Sequence, residues 1–195
     1  MNYLGHAVLS FGDSQILVGN MIADHVKGKL ALEKFPLRVK EGILCHRKID
    51  AFTDQHPATK RAMLWFREDF GLYSGAIVDS LYDHFLANDP KYFTSEQALL
   101  QFSEKTYAQI GDQVAIFPTL FGQYFPYMRQ QNWLYNYRTL AGVQKSLQGL
   151  HRRAKYMPSP EKAYQLFIAH YYQLAQCYYD FFDEAAYFVK ATLAI

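Results

Sequence analysis

Hydrophobic positions along this chain recur at the three-to-four-residue interval of a helix, and few stretches show the period-two alternation of a strand. Gly12-Asp13 closes a short apolar opening, MNYLGHAVLSF. The next periodic stretch, 14–32, stops before Phe35-Pro36. A helix then starts at Pro36, because proline suits a first turn, and reaches Thr53 or Asp54. His56-Pro57 breaks it, and 57–69 is a further helical piece ending at Gly71. Another spans 73–87, stopped by Asn88-Asp89-Pro90. Thr94 with Gln97 predicts a capping box ahead of a helix over 98–110.

The aromatic stretch 111–132 contains Pro118, Gly122 and Pro126, which predicts short helices and a loop. Positions 133–153 are helical with a weak point at Gly142. Ser159-Pro160-Glu161 is a helix start: a cap, a first-turn proline and an acid against the helix dipole. No breaker follows, so a long C-terminal helix is expected over about 160–193. The fold class is all-α, a single-domain helical bundle over 1–195.

Composition narrows the class further. Half of the 195 residues are apolar and 19% are charged, which is a globular composition and excludes disorder. Gly (11) and Pro (7) are too scarce for a sandwich that turns about every ten residues. No apolar run approaches the ~18 residues of a membrane span, and no charged-then-apolar leader opens the chain. The expectation is a soluble, cytoplasmic protein with no membrane partner. Cys45 and Cys177 are far apart on apolar segments and read as buried thiols; without a C-x-x-C, a zinc knuckle is excluded. A net charge of +2, with no nucleic-acid-binding motif, argues against nucleic acid as a partner.

Candidate chemistry gathers in the first 84 positions. Within CHRKIDAFTDQH, His46, Asp50 and Asp54 are four residues apart, each turned about 40° from the last on one helix face. His56 follows just past the helix end. VDSLYDH places Asp79 and Asp83 one turn apart with His84 adjacent. Asp24-His25 lies in the apolar run NMIADHVKG, and His6 stands between Leu4 and Val8. A lone His such as His6 or His25 is most often a hydrogen-bonded structural residue, and Asp54 before His56-Pro57 is a natural cap. Neighbouring Lys27, Arg47 and Lys48 offer ion-pair partners. Asp24, Asp79 and Asp83 fit that reading poorly, because ionised carboxylates inside apolar helices need a shared cation. Carboxylates with neutral imidazoles suit Mn²⁺, Mg²⁺, Fe²⁺ or Zn²⁺, whereas all-oxygen ligation would suggest Ca²⁺.

Five blocks carry a resemblance: MNYLGHAVLS, VGNMIADHVKG, GILCHRKIDAFTDQHP, YSGAIVDSLYDHFLA and NWLYNYRTLAGVQKSL. Taken in order across positions 1–153, they resemble the acyl carrier protein phosphodiesterases, a divergent branch of the HD-type metal-dependent phosphohydrolases. The resemblance implies an HD-like helical fold and hydrolysis of holo acyl carrier protein to apo protein and 4′-phosphopantetheine. It implies Mn²⁺ or Mg²⁺ as cofactor, with Fe²⁺ as an alternative. This chain has no His-Asp dipeptide, only the reversed Asp24-His25 and Asp83-His84, so it departs from the ordinary HD pattern. The metal set carried over is Asp24, His46, Asp50, Asp83 and His84, with His6, Asp54, His56 and Asp79 as second choices. Lys27, Arg47 or a His outside the metal shell would stabilise charge or deliver a proton.

The implied substrate is a small acidic helical protein. Arg38, Lys40, Arg47, Lys48, Lys60 and Arg61 would guide it, and Arg152, Arg153 and Lys155 form a second basic cluster. Two other readings stay open. One is an HD-like phosphohydrolase of a nucleotide or small phosphate ester. The other is a non-catalytic helical module that binds an acidic partner. The oligomeric state is not legible.

Overall fold

In the computed structural model, residues 1–154 and 156–195 are described; Lys155, in the second basic cluster, lies outside them. The described residues are helical, without strands. In chain order the helices are α1 (Tyr3–Val8), α2 (Ser14–Ile22), α3 (Lys29–Leu32), α4 (Leu37–Gln55), α5 (Pro57–Phe70) and α6 (Ser74–Ala87). They continue as α7 (Glu96–Gly111), α8 (Thr119–Gln130), α9 (Trp133–Asn136), α10 (Leu140–Arg153), α11 (Pro160–Ala169) and α12 (Tyr171–Leu193). No helix among the described residues is long and apolar enough to cross a membrane.

The tightest packing is α2 against α4. A Cβ at Gly19 would stand 2.3 Å from the Val39 carbonyl oxygen, and one at Gly42 would stand 2.4 Å from that of Ile16. Only glycine lets the two backbones meet there. That contact fixes the height of α4 and therefore where His46 and Asp50 emerge. α1 packs on α2 and α6, and α12 crosses α4, α5 and α6. The aromatic share is spent largely in this core: Phe66, Tyr82, Phe167, Tyr178, Phe181 and Phe182 are all buried, with Tyr82 stacked on Phe181 at 5.1 Å. Cys45 and Cys177 are buried free thiols, and burial pushes Cys45 up to about 11.

Several predicted boundaries move. The periodic stretch 14–32 is not one helix: α2 ends at Ile22, Ala23–His25 forms a 3-10 turn, and Gly28 takes a left-handed φ of 82°. Asp24 and His25 find side-chain partners only by leaving the helix, at His46 and Tyr124. The cap of α7 is Ser95, whose hydroxyl accepts from the Ala98 N–H at 3.1 Å, and not Thr94. Over 111–132, α8 runs through Pro126 as a full helix. The break in 133–153 falls at 137–139 and not at Gly142, which lies inside α10 against the Asn136 carbonyl. The C-terminal stretch 160–193 is divided at His170, whose ring stacks on Trp65 at 3.8 Å; α12 is its long part. Ser159 spends its hydroxyl on the Glu161 carboxylate, so it caps no backbone N–H.

Candidate metal centre

α1 presents His6, the turn after α2 presents Asp24, and α4 presents His46 and Asp50 one turn apart. These side chains converge. The Asp50 carboxylate receives His46 Nε2 at 3.0 Å through Oδ2 and His6 Nε2 at 3.2 Å through Oδ1. Asp24 Oδ1 lies 3.3 Å from the same His46 nitrogen, and the two imidazoles stack at 3.9 Å. Among the described residues, His6, His46 and Asp50 are the group whose ligand atoms all lie within 4.8 Å of one another. The Nδ1 atoms of both rings are buried without a hydrogen-bond partner among the described residues.

Charge is concentrated here. Burial alone would lower His46, but hydrogen bonds and charge from Asp24 and Asp50 carry it up to about 9. His6 is pushed down to about 4 by burial, then by the His46 charge beside it. Burial would raise Asp50, yet hydrogen bonds from His46 and His6 and the Met1 ammonium hold it well below the carboxylate range. Asp24 is held low by the His46 hydrogen bond. The Met1 ammonium lies 3.0 Å from Asp79 and 3.4 Å from Asp50. Burial opposes its charge, but those two carboxylates raise it to about 10. His6, His46, Asp24 and Asp79 line a cleft of about 230 Å³ together with Met1 and Arg153, and Asp50 contacts His6, His46 and Met1. Carboxylates and imidazoles packed this closely are a setting in which a multivalent cation can replace protons.

The other sequence candidates are placed differently. Asp83 is fully buried, and its carboxylate accepts from the Leu4 N–H at 2.7 Å and the Gly5 N–H at 3.0 Å, capping the start of α1. Burial leads its rise to about 7, against those two bonds. Asp83 therefore sets the position of His6 from behind. His84 points away from the cleft: Nδ1 bonds the Tyr137 carbonyl oxygen at 2.8 Å and Nε2 the Tyr171 hydroxyl at 3.1 Å. His56 caps α5, accepting from the Ala58 N–H, and pairs with Glu184. Asp54 is exposed near the start of α6. Arg47 donates to the Val26 carbonyl at 2.8 Å, tying down the segment after Asp24, and Lys27 is exposed outside the cleft lining.

Sequence reasoning passed over Tyr3, and it treated Arg153 only as a surface charge. Both line the cleft beside Asp24 and His46. The Tyr3 hydroxyl is 2.7 Å from that of Tyr124, which is 2.6 Å from His25 Nε2. The position of Tyr3, three residues before His6 on a short helix, was the available signal.

A cleft of this kind suits hydrolysis at a charged ester, and the relatives of the chain agree. The family model described as acyl carrier protein phosphodiesterase matches residues 1–185. The chain belongs to the acyl carrier protein phosphodiesterase family. Among proteins similar to it, the acyl carrier protein phosphodiesterase of Enterobacter sp. (strain 638) is 29% identical over 182 residues, 93% of this chain and 94% of that one. Those of Salmonella paratyphi A and Salmonella agona (strain SL483) are each 30% identical over the same shares. No solved structure matches the chain significantly. The matched span 1–185 contains His6, Asp24, His46, Asp50 and Asp83.

Proposed function

We propose that this chain is a cytoplasmic, divalent-metal-dependent phosphodiesterase that cleaves holo acyl carrier protein to apo protein and 4′-phosphopantetheine. The observation that carries it is the convergence of His6 Nε2, His46 Nε2 and the Asp50 carboxylate within 4.8 Å, in a cleft that also holds Asp24 and Arg153. His6, His46, Asp50 and Asp24 would hold Mn²⁺ or Mg²⁺, with Asp79 in the cleft wall against the Met1 ammonium. A divalent cation there supplies charge against the phosphate oxygens and lowers the pKa of a bound water.

The chain's own residues do the rest. Arg153 pairs with the nonbridging phosphate oxygens from the cleft wall. Asp24, the most open of the four carboxyl and imidazole groups, accepts a hydrogen bond from the attacking water and orients it. Asp83 holds α1 so that His6 faces Asp50, and Arg47 holds the Val26 carbonyl so that the turn keeps Asp24 over His46. Asp83, His84, His56 and Asp54 serve the scaffold in this reading. The chain acts as one domain over 1–195, supported by a buried cluster that runs from Met1 to Val189.

The test is the intact mass of holo carrier protein after incubation with the enzyme. Loss of the arm is expected with added Mn²⁺ or Mg²⁺ and not in excess EDTA. An unchanged mass under all metals, or full turnover in chelator, would overturn the proposal.

A further inference from the structure

The scissile bond joins phosphorus to the serine of the carrier protein itself, with no arm between them. If the function proposed above holds, the partner's surface must therefore rest against the rim of the metal cleft. A second depression of about 370 Å³ adjoins that rim: His25, next to Asp24, forms part of its wall. Its floor is apolar, built from Val26, Ala31, Phe35, Ile116 and Phe117.

Two observations indicate what covers it. Leucines stand out in the segments that form its walls: Leu30 is 86% exposed, Leu37 71% and Leu120 62%. These leucines do not line the hollow, but each is close in sequence to residues that do, and exposed apolar side chains next to an apolar hollow suit a contact surface. The charges there are also one-sided. Arg38 is paired with Asp13 and Glu41, and Lys40 with Glu33, so these two cations are already neutralised. Lys29 and Lys34 are exposed and have no ion pair among the described residues; Lys34 lines the hollow. An apolar hollow flanked by uncompensated ammonium groups complements an amphipathic helix whose apolar side chains are bordered by carboxylates.

We propose that the acidic carrier protein docks across this groove, one of its apolar side chains among Val26, Phe35 and Phe117 and its carboxylates facing Lys29 and Lys34. The modified serine then lies over Asp24. This inference rests on the phosphodiesterase reading. It moves the docking face away from Arg38, Lys40, Lys48 and Lys60 to the segment between α2 and α4.

The experiment compares wild type, the double variant Lys29→Glu/Lys34→Glu, Leu30→Asp and the control Lys48→Glu/Lys60→Glu. All five positions are exposed, and near-native circular dichroism checks that each variant folds. KM for holo carrier protein and Kd for the apo product should each rise about tenfold or more in the first two variants. The control should keep both, and all variants should hydrolyse a small diester of the same arm at the wild-type rate. Unchanged KM and Kd, or an equal rise in the control, overturns the docking face. A matching loss on the small diester overturns it too, because the groove would then hold the arm. If the wild type leaves holo carrier protein intact, the phosphodiesterase reading fails and the docking face with it. If it cleaves while Lys29→Glu/Lys34→Glu keeps its KM, only the docking face fails.

Discussion

The imidazoles of His46 and His84 are both nearly buried on long core helices, yet their ring nitrogens meet opposite surroundings. His84 finds a carbonyl oxygen and a tyrosine hydroxyl, one for each nitrogen, and needs no charge. His46 meets two carboxylates at Nε2 and, among the described residues, no partner at Nδ1. The same contrast separates the aspartates. Asp83 is satisfied by two backbone N–H groups, while Asp50 faces two imidazoles and an ammonium. A group whose partners are neutral and complete belongs to the scaffold. In the proposed function, groups that share too few protons would hold the cation.

The largest break of that contrast is Asp50→Asn. It keeps size and removes the charge that both imidazoles face, so turnover should fall about 10³-fold. In EDTA the melting temperature should fall as well, because His46 and the Met1 ammonium lose their counter-charge. A coupled assay and thermal melt check this; retained turnover with a clear loss of stability would move Asp50 into the scaffold group. His84→Ala should cost stability and spare turnover. Losing a buried ring and both its hydrogen bonds should cost about 2–4 kcal/mol in denaturant titration. kcat per folded molecule should stay within a factor of about three, on the ground that His84 does not face the cleft.

A third prediction concerns protons. Without metal, His46 holds its proton up to about pH 9, so a metal must displace it. Between roughly pH 7 and 9, apparent Mn²⁺ affinity should rise about tenfold per pH unit and then level off. Calorimetry in buffers of different ionisation enthalpy counts the proton released; a flat profile would remove His46 from the ligand set. The smallest effect is expected at His56, which caps α5 through Nδ1. His56→Ala should cost about 1 kcal/mol and leave metal affinity untouched.

The sequence foretold much of this because helical periodicity and capping are local. The all-α class, the helices read over 57–69 and 73–87 and found over 57–70 and 74–87, the buried thiols and the i, i+4 placement of His46 and Asp50 follow from local pattern alone. Spacing places two residues on one face but says nothing about what the face meets. Asp79, Asp83 and His84 share a helix and a motif; packing against α1 gives the two aspartates to the N-terminal segment, and α10 and α12 border the side that takes His84. His6 ranked below His84 in the sequence because a lone imidazole on a short helix carries no pattern. The structure brings His6 to His46 and Asp50, on a helix that Asp83 anchors from a position 79 residues away.

The chain by itself determined its helical class, the chemistry of its acids and imidazoles, and a resemblance that the family match upholds. Only the tertiary structure decided which of those groups form one cleft. The Gly19–Gly42 contact sets α4 against α2, and the Asp83 cap sets α1 against α6. Long-range packing of this kind depends on how whole helices fit together, and local sequence does not encode it.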